Sequence, residues 1–238
     1  MNSPIIITGA AQRLGRAIAL ALAADGFSVV ATYRSERHDL TPLQQAGIEC
    51  IAADFSSEAG TAAFIESITA RYTRVRAIIH NASSWESESS GVEPQALFQR
   101  MMQIHATTPY CINQALAPLL QAAANHEGWA DIIHMTDYIV EKGSAKHIAY
   151  AASKAALQNL TLSFAQALAP LVKVNSIAPA LLMFNDHDDA EYRAQAAKKS
   201  LLAPAPGAEE AVAAVRYLLS SRYVTGRVMA LDGGRPLK

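Results

Sequence analysis

The sequence predicts an α/β fold in which seven parallel strands form one doubly wound sheet with helices on both faces. Short apolar runs alternate with longer helical segments along the 238 residues, and this alternation is typical of parallel sheets that are covered on both faces. A glycine-containing turn at residues 8–15 follows the first run. Polar residues then recur where successive runs end, which is where ligands bind in doubly wound folds.

Each predicted strand is a short run rich in β-branched residues or alanine, as expected for a buried strand. The seven runs are residues 5–7, 27–32, 50–53, 75–80, 131–135, 172–177 and 227–231. The first helix is expected from about residue 13 to residue 25, because Gly26 can end it. The first strand therefore leads through the glycine turn directly into a helix.

The later helices carry start and break signals. Ser56 or Ser57 can cap the helix after the third strand, because a serine oxygen accepts from the free N–H groups of a first turn. Residues 94–124 are predicted to be helical, with a kink or a break at Pro109 and at Pro118, since each proline removes a backbone donor. Another helix is expected from about residue 150 to residue 169. A mobile flap over the site is predicted at about residues 178–200, which begin with the least regular stretch.

Length and composition limit the classes of protein. A single domain over residues 1–238 is predicted, and a hydrophobic fraction of 51% with 17% charged residues is typical of globular proteins. The net charge is −1 without a polybasic run, so neither nucleic acid nor a membrane is expected as a partner. No signal peptide or apolar span of ~18 residues is visible, which predicts a cytoplasmic protein. Cys50 and Cys111 lack metal-ligand spacing and are predicted to be buried free thiols.

The turn at residues 8–15 has the features of a dinucleotide-binding loop. Gly9 permits a tight turn, and Gly15 allows the helix to pack closely against the strand. The helix N-terminus, which begins near Arg13 and Leu14, then presents free N–H groups to a pyrophosphate. Arg13 replaces the middle glycine of the usual pattern. We interpret it as a ligand of the phosphate and of the substrate's polar edge rather than as a plain surface arginine.

The residues after the second strand distinguish NADP from NAD. An acidic residue there would bind the ribose hydroxyls and repel a 2′-phosphate, whereas this chain has Tyr33, Arg34 and Ser35. One cation flanked by hydroxyl groups predicts NADPH as the cofactor. After the third strand, Asp54 either caps the following segment or accepts from the adenine amine, and its neighbour Phe55 is included in the predicted cofactor site.

Tyr150, Lys154 and Asp137 are predicted to form an acid–base site. Tyr150 and Lys154 are four residues apart in an alanine-rich segment, so on a helix both side chains lie on one face. A lysine ammonium or an oxidised nicotinamide lowers the pKa of a phenol, whereas a carboxylate such as Asp137 raises it. The carboxylate therefore favours proton donation over proton abstraction at neutral pH. Lys154 is also expected to bind the nicotinamide ribose.

These motifs together make the chain similar, over its whole length, to the short-chain dehydrogenase/reductase superfamily, which has a Rossmann fold. The shared elements are the turn at residues 8–15, Asn81 with Ala82, Tyr150 with Lys154, and Pro179 after the sixth strand. Within this superfamily the chain resembles the pteridine reductases. The narrower elements are Arg13, residues 33–35, residues 81–85, and Asp137 at the position of a catalytic serine. The resemblance implies that Asn81, Ala82 and Pro179 contact the cofactor.

The resemblance also implies NADPH-dependent reduction of dihydropterins, including dihydromonapterin and dihydrofolate. The pterin would stack between the nicotinamide and the ring of Trp85, and Ser83 and Arg13 would bind its polar edge. Hydride would go to C6, and N5 would take a proton supplied through Tyr150, Asp137 or water. A homo-oligomer is expected as well, since tetramers are common in this superfamily.

Some positions depart from the pattern of the superfamily. His105 aligns with an asparagine that holds a water near the lysine in many members, so it either holds the same water or tunes a proton relay, or it is a buried core histidine. Ala180 replaces a glycine after the sixth strand, and the flap geometry is expected to differ. Residues 185–189 are interpreted as helix-capping residues rather than a metal site. A weaker hypothesis is that Asp186 or His187 contacts the substrate side chain.

Two other functions are left open by the sequence. A carbonyl or 3-oxoacyl reductase of the same fold would act on a ketone, which a serine hydroxyl polarises better than Asp137 does. An NADPH-binding sensor without turnover would not need Tyr150 and Lys154. The preferred pterin and the hydride face are not determined by these residues.

Overall fold

One sheet of seven parallel strands forms the centre of the computed structural model, which describes residues 3–35, 39–202 and 205–238. The strands are β1 (Ile5–Ile7), β2 (Val29–Tyr33), β3 (Glu49–Ala52), β4 (Ala77–His80), β5 (Ala130–Met135), β6 (Val172–Pro179) and β7 (Val228–Leu231). Their order across the sheet is β3-β2-β1-β4-β5-β6-β7, and all neighbouring pairs are parallel. The α/β fold predicted from the sequence is confirmed.

Helices cover both faces of this sheet. They are α1 (Arg13–Ala24), α2 (Thr41–Gln45), α3 (Glu58–Arg71), α4 (Pro94–Met102), α5 (Thr108–Glu127), α6 (Ile139–Lys142), α7 (Ile148–Leu168), α8 (Ala190–Ala197) and α9 (Glu209–Ser220). Side chains alternate along β1, so Ile6 joins the core under α3, α5 and α7, while Ile5 and Ile7 join the core under α1, α2 and α9. Within the described residues, no helix is both long and apolar enough to cross a membrane.

The strand boundaries lie within two residues of those predicted. Ser57 caps α3, because its hydroxyl oxygen accepts from the Gly60 N–H at 3.1 Å. The break expected near Pro109 is a π-helical turn at Gln103–Thr107, and the proline then lies in the first turn of α5, where it is tolerated. The break expected at Pro118 does not occur, and α5 continues through this exposed residue.

Candidate active site

The carboxyl ends of β1 and β4 form a crevice, because the strand order reverses between them. Gly9 follows β1 with a φ of +64°, and a Cβ there would lie 2.7 Å from the Ala82 Cα. A Cβ on Gly15 would lie 2.5 Å from the Asn81 amide nitrogen, which donates to the carbonyls of Thr8 (3.1 Å) and Gly9 (2.9 Å). Glycine is required at both positions, and the close approach produces a cradle that fits a dinucleotide phosphate.

Arg13 begins α1 and links the glycine turn to the segment after β6. Its φ of +50° lies in the left-handed region, which is uncommon for residues other than glycine. The guanidinium donates to the carbonyls of Met183 (3.0 Å) and Phe184 (3.4 Å) and to Oδ1 of Asn185. Arg13 and Leu14 also line a cavity of the crevice that is named the main cavity because Asp137, Tyr150 and Lys154 line it as well. The contact with residues 183–185, which lie in the predicted flap, was not predicted from the sequence.

Asp137, Tyr150 and Lys154 converge on this main cavity, which has a volume of about 280 Å³. The Tyr150 hydroxyl donates to Oδ2 of Asp137 at 2.8 Å, and Oδ1 of Asp137 accepts from the Ile139 N–H at 2.9 Å. The Lys154 ammonium donates to the Met135 carbonyl at 2.7 Å and lies 5.7 Å from the centre of the Tyr150 ring. The end of β5 and one face of α7 therefore bring together the three groups that the sequence suggested.

The surroundings of these groups shift their pKa values in opposite directions. Burial raises the pKa of Tyr150 well above 10, and the charge of Asp137 and its hydrogen bond raise it further, while Ser83 opposes the shift. Burial lowers the pKa of Lys154 from 10.5 to about 8, and the Asp137 charge opposes this shift. At neutral pH the phenol is thus protonated and most of the lysine is an ammonium ion. Such a phenol can donate a proton.

His105 lies in the π-helical turn, is only 1% exposed and bridges two serines. Its Nδ1 is 2.9 Å from the Ser153 hydroxyl oxygen, which in turn lies 2.7 Å from the Tyr150 carbonyl. A carbonyl only accepts, so the Ser153 hydroxyl donates to it and accepts from the Nδ1–H of His105. Nε2 is then an acceptor for the Ser83 hydroxyl at 2.8 Å and the Ser84 N–H at 3.4 Å. Burial keeps the pKa of His105 well below its ordinary value, so the ring is neutral.

This hydrogen-bond chain fixes the direction of the Ser83 hydroxyl. Because its proton points toward His105, the Ser83 oxygen can accept on its other side, where it faces the Tyr150 hydroxyl and the main cavity. The His105 ring also packs edge-on against the Tyr150 ring at 5.4 Å. His105 is therefore a buried histidine with hydrogen-bonded partners, as one of the two interpretations expected, and it also orients the Ser83 hydroxyl; its role in a proton relay stays a prediction.

The residues after β2 lie on the surface next to β3. β2 ends at Tyr33, and the exposed Arg34 follows with Ser35. Arg34 and Asp54 line one cavity of about 530 Å³. Oδ1 of Asp54 accepts from the Ser56 N–H at 3.0 Å and the Ser56 hydroxyl at 2.7 Å. Asp54 thus caps the segment that leads into α3, and its contact with adenine stays a prediction.

The other predicted contacts differ in their exposure. The Phe55 ring is buried and packs edge-on against Phe64 at 5.3 Å, which leaves only the backbone of Phe55 to contact a cofactor. Pro179 ends β6 and lines the main cavity. The Trp85 side chain is 67% exposed, and its ring packs edge-on against His147 at 4.8 Å. Trp85 is therefore accessible for stacking, whereas the Phe55 ring is not.

The acidic segment at residues 185–189 forms the start of a helix. Asp189 caps α8 and accepts from the Tyr192 N–H at 2.7 Å, and Asp188 accepts from the Asn185 N–H at 2.7 Å. Helix capping, which the sequence indicated, is confirmed for Asp189. In the part of the chain that the structure describes, no group of three His, Cys, Asp or Glu side chains could hold a metal ion.

This crevice, with a glycine-lined cradle beside a Tyr–Lys pair on one helix, defines a nucleotide-dependent oxidoreductase. A family model described as enoyl-(acyl carrier protein) reductase, which is a short-chain dehydrogenase/reductase model, matches residues 9–235. The chain belongs to this short-chain dehydrogenase/reductase family.

The chain is also similar to curated proteins named dihydromonapterin reductase. That of Klebsiella pneumoniae is 52% identical over 235 residues, which cover 99% of this chain and 97% of the relative. That of Escherichia coli O6:K15:H31 is 51% identical with the same coverage. Among solved structures, FolM alternative dihydrofolate reductase 1 from Brucella canis, complexed with NADP, is 29% identical with a TM-score of 0.84 and covers 100% of this chain and 95% of its own. The NADP complex from Brucella suis is 28% identical with a TM-score of 0.86, at 100% and 96% coverage.

Proposed function

We propose that this protein is an NADPH-dependent reductase of 7,8-dihydropterins that reduces dihydromonapterin to tetrahydromonapterin and dihydrofolate to tetrahydrofolate. The hydrogen bond from Tyr150 to Asp137 carries the proposal, because a carboxylate at this position keeps the phenol protonated for donation to a ring nitrogen. Relatives about half identical to the whole chain are named for dihydromonapterin reduction, which supports the substrate class.

The crevice fits a nicotinamide dinucleotide. The cradle at Gly9 and Gly15 leaves no room for a Cβ, so backbone N–H groups at the start of α1 can approach a pyrophosphate. The exposed Arg34 would bind the 2′-phosphate that distinguishes NADPH from NADH. When bound, the cofactor supplies the hydride that reduces C6 of the pterin.

The chain's own residues then supply one proton and offset one negative charge. Tyr150 donates its hydroxyl proton to N5 of the pterin, directly or through water. Asp137 keeps this phenol protonated before the transfer, and the Lys154 ammonium offsets the negative charge that the phenolate carries after it. The Ser83 oxygen accepts a hydrogen bond from an N–H group on the pterin's polar edge, because His105 holds the Ser83 proton. Trp85 lies beside the main cavity and not in its lining, so its stacking on the flat ring stays a prediction.

A carbonyl reductase of the same family is less consistent with the site. Such an enzyme needs a neutral hydroxyl to polarise a ketone, whereas Asp137 is a carboxylate that accepts a hydrogen bond from the Tyr150 hydroxyl. The neighbouring Thr136 hydroxyl does not replace it, because it is buried and donates to the Ile177 carbonyl at 3.1 Å.

The test is NADPH oxidation measured with dihydromonapterin, dihydrofolate and an acetoacetyl thioester. We expect turnover with both pterins and none with the thioester. Turnover with the thioester alone would support the carbonyl reductase, and cofactor binding without any turnover would support a sensor. A cytoplasmic location and a homo-oligomeric state stay predictions, and sedimentation analysis would test the second.

A further inference from the structure

A second cavity adjoins the main cavity at the acid–base pair. It has a volume of about 270 Å³, and Asp137, Tyr150, Ala180 and Leu181 line both cavities. A ring that receives a proton from Tyr150 therefore lies at the entrance of this second cavity. A substituent on that ring has an open path into it.

The walls of the second cavity are aromatic. Trp85 and Tyr192 line it with side chains that are 67% and 47% exposed, and Tyr138 lines it as well. Exposed aromatic faces of this kind gain free energy when they stack on or pack edge-on against another aromatic ring. The walls thus fit an aryl group better than they fit a polyol.

Two cations complete the lining of the second cavity. Lys199 follows α8, and Arg235 begins the C-terminal turn, where its guanidinium lies 4.8 Å from the centre of the Tyr138 ring. Within the described ranges, neither cation forms a salt bridge. The single carboxylate in the lining is Asp137, which already accepts from Tyr150 and from the Ile139 N–H. The second cavity therefore has an excess of positive charge that an anionic group would neutralise.

We propose that this second cavity, here named the tail pocket, binds the aryl-carboxylate substituent of a pterin such as the p-aminobenzoyl-glutamate of dihydrofolate. Trp85 and Tyr192 pack against the aryl ring, and Lys199 and Arg235 bind the carboxylates. A neutral polyol substituent, as on dihydromonapterin, carries no charge for these cations to neutralise and gains less from them than a carboxylate does. The inference rests on the proposed pterin reductase activity and adds to it a basis for choosing between two pterins.

The experiment compares steady-state kinetics of both pterins in Lys199→Gln, Arg235→Gln and the double variant. For each single variant we expect the KM for dihydrofolate to rise about two- to fivefold, as for a partly exposed ion pair, with little change in kcat. The double variant combines both losses. The KM for dihydromonapterin stays at the wild-type value. In the wild-type enzyme, high salt raises the KM for dihydrofolate more than that for dihydromonapterin.

Matched controls separate the tail pocket from general charge effects. Lys198→Gln removes the same charge from the neighbouring residue, which does not line the pocket, and leaves both KM values unchanged. Arg235→Lys retains most of the dihydrofolate affinity. Equal changes for both pterins, or no change for dihydrofolate, would overturn the tail pocket while the reductase function stands. Absence of turnover with either pterin in the wild-type enzyme would instead overturn the proposed function.

Discussion

Two buried lysines have different surroundings: Lys173 lies at the amino ends of the strands, and Lys154 lies at their carboxyl ends. Lys173 is 7% exposed, and its ammonium is 2.6 Å from Asp131 and donates to the Leu218 carbonyl at 2.7 Å. Lys154 is 3% exposed and donates to the Met135 carbonyl at 2.7 Å. Asp131 and Met135 belong to β5, near its amino end and at its carboxyl end. β5 therefore contacts a lysine that is paired with a carboxylate at its amino end and a lysine that lines the main cavity at its carboxyl end.

The difference shows that the charged groups at the amino end stabilise the fold, whereas those at the carboxyl end are available for the proposed reaction. At the amino end, Asp131 also accepts from Arg76 at 2.6 Å, and Arg76 and Lys173 donate to the last carbonyls of α9. These groups satisfy one another and cap a helix. At the carboxyl end, Asp137 accepts a hydrogen bond from the Tyr150 hydroxyl and does not pair closely with Lys154. In the proposed mechanism the Lys154 ammonium then balances the charge that forms on the phenolate.

Replacing Tyr150 by Phe should have the largest effect at the carboxyl end. General acid catalysis contributes about 10²–10⁴-fold, so kcat should fall by that factor. NADPH affinity and the free energy of unfolding should change little, because the ring and its packing are retained. Single-turnover kinetics, a cofactor titration and denaturant unfolding would measure the three quantities. An unchanged kcat would mean that the proton reaches N5 by another route.

Replacing Asp131 or Asp137 by Asn compares the two ends directly. Asp131→Asn leaves the buried Lys173 without its counter-charge and Arg76 with only the more distant Glu127, and should lower the free energy of unfolding by about 3–5 kcal/mol. Asp137→Asn should lower turnover, with little effect on stability because its oxygen still accepts from the Ile139 N–H. Denaturant unfolding and steady-state kinetics would measure the pair. The opposite pattern would reverse the roles of the two ends.

The pH dependence should come from the carboxyl end. The folded-state pKa of Lys154 is lowered from 10.5 to about 8, so turnover should fall as pH rises through about 8 and the ammonium is lost. Roughly a tenth of the ammonium remains one pH unit above the pKa. Between about pH 8 and pH 10.5 the unfolded chain binds more protons than the folded chain does, so the free energy of unfolding should rise with pH. Lys154→Met should remove this rise, and a flat pH profile of wild-type kcat would contradict the assignment.

Replacing His105 by Asn should have the smallest effect. Ser83 loses the acceptor that fixes its proton, and one neutral hydrogen bond of about 1 kcal/mol corresponds to a KM for dihydropterin about fivefold higher. The kcat should change less. His134→Asn is the control, since that buried histidine bonds Asn113 and Thr161 away from the cavity and should affect stability only. If Ser83→Ala raises KM and His105→Asn does not, the positioning role is wrong.

The fold was predictable because local patterns and the sheet agree. Runs such as residues 5–7 are apolar and end at glycine or polar residues, which fixed the strands within two residues. The helix α9 was not predicted, although Ala211, Val215 and Leu218 repeat at helical spacing and are buried. The grouping of Tyr150 with Lys154 follows from one helical turn, which requires no knowledge of distant contacts.

Other parts of the site could not be predicted from local patterns. The contact of Arg13 with Asn185 joins residues 172 positions apart, and only the finished fold brings them together. The link between His105 and Ser83 depends on a π-helical turn that no simple periodicity indicates. Ser153 is three residues after Tyr150 and shares its helix face, so its role could have been suspected. Lys199 and Arg235 line one cavity because the segment after α8 is hydrogen-bonded to the turn after β7, where the Leu201 and Leu202 N–H groups donate to the Gly233 carbonyl.

The most direct test is the titration of the Tyr150 phenol in the free enzyme by ultraviolet difference spectroscopy, with Tyr150→Phe as the reference. Because Asp137 and burial both favour the protonated form, wild type and variant should give the same phenolate signal up to pH 10. Asp137→Asn should bring the extra signal to lower pH. A phenolate that forms near neutral pH in the wild type, and is absent from Tyr150→Phe, would contradict the assignment of Tyr150 as a proton donor.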